Sequence, residues 1–392
     1  MTHRSRGPGS RPRPGGPRDR RPSGGPPHEH SARKRGPRGS AGPPPAYEAE
    51  TLFGLEPFAE DELRRRLGQS VRLLGRPAPG RVAMAYVGAD APLDALRSVV
   101  AIHRVETFAV PRPKALLGHE HLTRLAALLQ GVMARQPRGA FETFRVSAAG
   151  ADSPVFQRLK AEIARATGLT LHEEEAQLQI AVRPAPGGKG WQVLVRRTPR
   201  PLSARAWRVC NMPGALDATI AHVMVTLARP RAEERFLNLA CGSGTFLVER
   251  LAEGPARAVL GIDIDSRALD CARDNLQAAG RLADAHMVRA GAGRAPLGAG
   301  QFDTVVADLP WALLVGTRRE NEALYPALLA EAARVAVPGA TLVLITASHR
   351  VFEEALARGG GRWVPEATYP LRVPWERGYL EPRIHVLRRA ED

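Results

Sequence analysis

The sequence predicts an α/β protein: a parallel sheet covered on both faces in the rear half, preceded by smaller α+β units. Three observations carry this. From Arg235 onward strand, glycine turn and helix alternate, and the strands are near-continuous apolar runs, as buried parallel strands are. Between Thr51 and Arg197 strands and helices alternate over shorter spans. The 392 residues, 44% of them apolar, exceed one ordinary domain and offer enough side chain for two or three cores.

Residues 1–45 are largely Arg, Gly, Pro and Ser with 11 basic and 2 acidic side chains, which reads as a disordered basic tail, open between a solubilising segment and a loose arm for RNA phosphates. A strand-like TLFGLE (51–56) leads into the helix FAEDELRRRL (58–67), whose acidic start and basic end suit the helix dipole. The pattern then predicts a strand over 81–87, a helix near 92–100, a strand over 106–110, a helix over 121–135, a strand over 140–147, a helix over 154–168, and strands over 177–184 and 190–197. In the rear half it predicts strands at 236–240, 258–263, 285–290, 302–308 and 340–347. Helices are expected from the first glycine turn to about 252, then over 267–280 and 320–336.

The charge is uneven. Of the formal +16, +9 sits in residues 1–45 and +7 in residues 46–205, while 206–392 is balanced at 22 bases and 22 acids. A grip on a polyanion therefore belongs to the front. There Arg196, Arg197, Arg200, Arg205 and Arg208, punctuated by Trp207, form the densest basic run outside the tail and are the candidate RNA contacts. Cys210, Cys241 and Cys271 show neither a disulfide framework nor a zinc spacing, and no metal is expected. No run approaches the roughly 20 apolar residues of a membrane helix, so a cytoplasmic chain with no membrane partner is expected, as a monomer.

Two motifs carry chemistry. After the strand FLNLA come Cys241, Gly242, Ser243, Gly244 and Thr245, a turn that lets a ligand lie against main-chain amides at a helix start. The strand VLGIDID ends in Asp263 about twenty positions on, where a carboxylate accepts from both hydroxyls of a ribose. Together they imply a nucleoside-bearing ligand, with Asn238, Ala240 and Ile264 beside it. The absence of a Walker lysine argues against ATP, and Asp265 reads as the cap of the next helix. The second motif ends the strand FDTVVAD: Asp308, Leu309, Pro310 and Trp311. A carboxylate and a fixed carbonyl take protons from an exocyclic amine, Pro holds the turn, and an indole stacks a flipped-out base.

FLNLACGSGTFLVE resembles the first motif of class I S-adenosylmethionine-dependent methyltransferases, and ADLPW resembles the Asp/Asn-Pro-Pro-aromatic motif of those that methylate exocyclic amines. The stretch 308–340 is similar to the THUMP-domain group of guanine-N2 tRNA methyltransferases, and 49–63 and 194–209 resemble the ends of that group's RNA-binding region. The resemblance implies a Rossmann-like class I methyltransferase domain with a seven-stranded, mostly parallel sheet over 233–392. It also implies a ferredoxin-like domain over 46–110, a THUMP domain over 111–200 and a linker with a helix over 201–232. It implies S-adenosyl-L-methionine as cofactor and tRNA, gripped at the acceptor-stem end, as partner, with the front module measuring distance. Ribosomal RNA, adenine N6, or a degenerate domain that only binds RNA are the alternatives. Leu309 stands in place of a proline, Ala312 of a glycine, and Gly291 where an acid commonly meets adenine. Asn321 is open between orienting the loop and packing, and Tyr325 reads as packing.

Overall fold

The computed structural model describes residues 45–313, 317–376 and 378–391. The expected disordered tail, 1–45, lies outside the described residues except for Pro45.

In the front half, β1 (Ala46–Glu50), β2 (Val71–Gly75), β3 (Arg81–Tyr86), β4 (Ala101–Phe108), β5 (Thr143–Ala148), β6 (Thr170–Leu171), β7 (Leu178–Pro184) and β8 (Trp191–Arg196) form one sheet in the order β2-β3-β1-β4-β8-β7-β5-β6. The two α+β units read from the sequence are thus continuous: β4 pairs antiparallel with β8, His103 opposite Arg196. The helices α1 (Glu56–Leu67), α2 (Ala91–Asp94), α3 (His119–Met133) and α4 (Pro154–Thr167) complete this half. Two cores form, one around Leu63, Met84 and Ile102, the other around Phe108, Phe144, Phe156 and Val195.

Two expectations here are corrected and one strand is new. TLFGLE is not the strand; that role falls to the preceding AYEAE, and Gly54 turns the chain at φ 96° where a Cβ would lie 2.5 Å from the Pro370 carbonyl oxygen. The helix near 92–100 is a single turn, because Val99, Val100 and Ile102 supply β-branched side chains that favour the strand that follows. β2 was not expected at all: it is an edge strand whose Leu74 is exposed, so it lacks an apolar alternation to read.

α5 (Ala218–Leu227), within the segment expected as a linker with a helix, is buried from Ala218 to Val225. The rear half then runs β9 (Arg235–Leu239), α6 (Thr245–Ala252), β10 (Ala258–Asp263), α7 (Ser266–Ala278), β11 (His286–Arg289), β12 (Phe302–Asp308), α8 (Arg318–Val335), β13 (Ala336–Thr346), α9 (His349–Arg358), β14 (Trp363–Pro370), β15 (Val373–Trp375), β16 (Gly378–Leu380) and β17 (Arg383–Arg389). Its seven-stranded sheet has the order β11-β10-β9-β12-β13-β17-β14, parallel from β11 to β13, with β17 antiparallel to both its neighbours. Apolar clusters cover both faces, as near-continuous apolar strands require. The chain winds outward from β9 to β11 and returns to β12 on the other side, which opens a crevice at the carboxyl ends of β9 and β12.

Candidate active site

From Leu239 the chain turns through residues 240–244 into α6. Ala240, Gly242 and Gly244 all take positive φ, at 53°, 52° and 78°. At 244 a Cβ would lie 2.9 Å from the Ala272 Cβ, so glycine lets α6 meet α7; at 242 a Cβ would meet nothing within 4 Å, and the turn opens onto free space. Ala240 bears the left-handed conformation at a cost of roughly 1–2 kcal/mol. The turn is held from below: Cys241 N–H donates to the Ile262 carbonyl (2.8 Å), and Gly242 N–H donates to Asp263 Oδ2 (2.8 Å). Asp263 Oδ1 accepts from Asp265 N–H (3.0 Å), so each oxygen holds one amide. A carboxylate has about four acceptor directions, which leaves room for two hydroxyls.

Ile264, next along the chain, is 70% exposed, an apolar side chain left bare beside the turn. Asp265 caps α7, accepting from Arg267 N–H (2.9 Å), as the sequence predicts. Asn238 is fully buried; its Nδ2 donates to Leu239 and Val306 carbonyls at 3.2 and 3.3 Å, tying β9 to β12 beneath the turn. Ser243 and Thr245 are also buried: the Ser243 carbonyl accepts from Asn275 Nδ2 (2.9 Å), and Thr245 Oγ1 from Arg208 (2.9 Å). Burial pushes the Cys241 thiol up to about 12, which makes it a packing residue and no nucleophile. Ala290 N–H donates to the Asp263 carbonyl (3.0 Å), which brings the main chain at Gly291 beside the turn where no acid stands.

β12 lies against β9 with Ala307 opposite Leu239, so Asp308 emerges level with the start of the glycine turn. The loop after it is clamped. Leu309 N–H donates to the Ile345 carbonyl (3.0 Å), and the Pro310 carbonyl accepts from both Asn321 Nδ2 (2.7 Å) and the Tyr325 hydroxyl (2.6 Å). Tyr325 also meets Thr346 Oγ1 at 2.8 Å. Ala312 sits at φ 58°, which explains why a glycine suits that position. Tyr325 is therefore more than packing; an aromatic inside a helical run carries no sequence sign that its hydroxyl reaches a loop fifteen residues back.

What the loop leaves free matters most. Asp308 Oδ1 is enclosed and has no hydrogen-bond partner, and no described residue donates to the Leu309 carbonyl oxygen. Burial pushes the Asp308 carboxyl from its ordinary 3.8 up to about 7, the neighbouring Trp311 indole offsetting only part. Trp311 is half-buried against the core that contains α5.

The predicted RNA-binding arginines are mostly used inside the fold. Arg197 is buried against Asp90 (2.5 Å) and Asp94 (3.1 Å), and Arg205 against Glu249 (2.9 Å). Arg196 donates to the carbonyls of Thr198, Pro199 and Gln177 at 3.0, 2.6 and 3.1 Å. Arg208 donates to Leu216 O and Thr245 Oγ1. Of the five, Arg200 alone is exposed. Sequence reading counts charges along the chain but cannot see carboxylates that arrive from more than forty residues away, and a buried guanidinium must find them. The cysteine reading is corrected for the same reason: Cys210 and Cys271, 61 residues apart, are joined by a disulfide that fastens the 206–212 segment to α7, leaving Cys241 free. Among the described residues no helix is long and apolar enough to cross a membrane.

Residues 205–372 match the family model UPF0020, described as RMKL-like, methyltransferase domain. The matched segment takes in the glycine turn, Asp263 and the Asp308 loop. The chain is 28% identical to the tRNA (guanine(6)-N2)-methyltransferase of Thermus thermophilus over 353 residues, 87% of this chain and 99% of that protein. To the enzyme of the same name from Methanocaldococcus jannaschii it is 25% identical over 194 residues and spans about half (51%) of that protein's length. Its fold is similar to the crystal structure of TrmN from Thermus thermophilus, with a TM-score of 0.66 at 24% identity over 88% of this chain and 99% of that one. It is also similar to SMU.472, a putative methyltransferase complexed with SAH, with a TM-score of 0.61 at 16% identity over 90% and 100% of the two chains. The fold is that of class I methyltransferases.

Proposed function

We propose that this chain methylates the exocyclic N2 amine of a guanosine in tRNA, with S-adenosyl-L-methionine as cofactor. The observation that carries the reading is the pair of free oxygens, Asp308 Oδ1 and Leu309 O, at a strand end beside a glycine turn that opens onto free space. The Thermus relative's name supports the substrate.

The residues present fit the cofactor. Main-chain amides of 242–245 would border it, Asp263 would accept from the ribose hydroxyls, Ile264 would cover the adenine, and the main chain at Gly291 would take the place of an acid. When bound, S-adenosylmethionine supplies an electrophilic methyl on a sulfonium. Guanine N2 is a poor nucleophile because its lone pair is delocalised into the ring. Asp308 accepts from N2–H and N1–H, the Leu309 carbonyl from the second N2 proton, and both orient the lone pair. Carboxylate charge also stabilises the positive charge that develops on N2. A carboxyl whose proton affinity sits near neutrality then takes the proton that the methylated amine sheds. Stacking on Trp311 contributes about 1–3 kcal/mol.

The RNA is gripped by the front module, read as the ferredoxin-like and THUMP units. There Arg112, Lys114 and Lys189 are exposed without a carboxylate partner among the described residues, and β4–β8 pairing, Phe108 opposite Trp191, places them at one end of the sheet. These, with Arg200, are the candidate phosphate contacts in place of the buried arginines. Nucleoside mass spectrometry of total tRNA incubated with the protein and labelled cofactor tests the reading. N2-methylguanosine is the expected product; labelled N6-methyladenosine, or no labelled nucleoside, overturns it.

A further inference from the structure

A second buried carboxylate lies on α6, one turn beyond the glycine turn, and takes no part in the site above. Glu249 is completely enclosed. Its oxygens accept from Arg97 Nε (2.8 Å) and Arg205 Nε (2.9 Å), and His222 Nδ1 lies at 3.5 Å. Arg97 comes from the front module, between α2 and β4; Arg205 from the connecting segment; His222 from α5. The network continues on the front side. Glu62 of α1 accepts from the main-chain N–H groups of Arg97 (2.9 Å) and Ser98 (2.8 Å) and from the Ser98 hydroxyl, and its side chain pairs with Arg66 (2.9 Å). Arg66 reaches across to Glu253, just beyond the end of α6 (3.1 Å). Arg205 also donates to the carbonyls of Arg97 (2.6 Å) and Leu202 (2.7 Å).

The carboxylates of Glu62, Glu249 and Glu253 are thus matched to the guanidiniums of Arg66, Arg97 and Arg205 across the junction of two modules. Inter-module surfaces are ordinarily polar, wet and free to slide. This one is largely buried and directional: a planar guanidinium donates only toward certain carboxylate positions, and displacing either module by an ångström would strand buried charge. Apolar side chains would give adhesion, whereas matched charges give one register.

We propose that this node holds the front module in a single orientation to the β12 end, making Glu249, Arg97 and Arg205 positioning residues that select the methylated nucleoside by distance. This rests on the reading that the front module grips RNA while Asp308 orients the amine.

The test uses the full chain with Glu249→Gln and Arg66→Ala, the latter at the more open edge of the node, where its side chain is 30% exposed and its loss leaves the Glu249 pairs with Arg97 and Arg205 in place. Methylated positions are mapped by nuclease fragmentation and mass spectrometry, and affinity for S-adenosylhomocysteine is measured by calorimetry. A wild-type protein that methylates no RNA defeats the underlying function rather than the node. Given wild-type activity at one position, the expected result in each variant that melts cooperatively is methylation spread over neighbouring guanosines, with cofactor affinity within about twofold of wild type. Methylation confined to the wild-type position, at whatever rate, or a weakened cofactor affinity, overturns the proposal.

Discussion

Asp308 is half-buried with its Oδ1 enclosed, Glu249 is completely enclosed, and their proton affinities move in opposite directions. Around Glu249, His222, Arg205 and Arg97 outweigh the burial that pushes a carboxyl upward and hold it down at about 2. At Asp308 burial wins, the Trp311 indole offsetting only part, and the carboxyl is pushed up to about 7. Desolvation pushes both carboxyls upward; the partners differ. A buried carboxylate with its partners in place fastens the fold. One left without them is expensive to keep, and its cost is recovered only when a ligand brings the missing donors.

The largest effect separating the two belongs to Asp308→Ala. Turnover should fall about 10²–10⁴-fold with cofactor affinity nearly unchanged, because the residue acts on the amine and not on the donor. Steady-state kinetics with calorimetry checks this, and undiminished turnover would remove Asp308 from the mechanism. Stability should move the other way. A carboxyl raised from 3.8 to about 7 on folding binds its proton more tightly in the native state, so native stability declines as pH rises between those values and stays reduced above them. Asp308→Asn should therefore stabilise the protein at pH 8 by about 1–3 kcal/mol, allowing for the partial exposure of the residue, and by little at pH 4. Glu249→Gln should do the reverse, costing about 3–5 kcal/mol at pH 7 because it strands Arg97 and Arg205. That contribution is complete above the ordinary 4.5 and fades as pH falls toward 2. Thermal melts of both variants across pH 4–8 settle the comparison; equal shifts of the same sign would break it.

A smaller effect is predicted at the turn. Asp263→Ala removes the acceptor for Gly242 and Asp265 amides as well as for the ribose, and charged hydrogen bonds of this kind contribute about 1.5–3 kcal/mol. Cofactor dissociation constants should rise roughly ten- to a hundredfold in calorimetry with little change in single-turnover rate at saturation. An unaltered constant would take the ribose role from Asp263.

The same contrast explains what was legible in the sequence. The rear sheet was readable because its parallel strands, such as FDTVVAD and AVLGID, are apolar on both faces, and the strands at 258–263 and 302–308 fall where the pattern puts them. The places of Asp263 and Asp308 at the ends of β10 and β12 were readable because the apolar runs stop there. Arg197 and Arg205 were misread because a basic run looks the same whether it faces solvent or Asp90 and Glu249. The Cys210–Cys271 bridge and the Tyr325 contact were invisible for a related reason: both join points that only folding brings together. Local pattern gives elements and their ends; pairing across long separations decides which charges are free.

The finest test lies at Tyr325. Its hydroxyl, kept protonated by burial, donates to the Pro310 carbonyl while Thr346 Oγ1 lies at 2.8 Å and itself accepts from Ser348 N–H at 2.9 Å. This chain of hydrogen bonds runs from α9 to the loop that presents the Leu309 carbonyl. Tyr325→Phe keeps the ring in the core and removes only the last link, leaving Asn321 as the one donor to Pro310. A single neutral hydrogen bond is worth about 0.5–1.5 kcal/mol, so kcat should fall about two- to tenfold with cofactor affinity unchanged. The loss should be non-additive with Asn321→Ala, since either donor alone leaves the carbonyl partly held and only the double variant frees the loop. A double variant whose kcat is the product of the two single losses would mean that the donors act on different things, and the clamp would then be Asn321 without Tyr325.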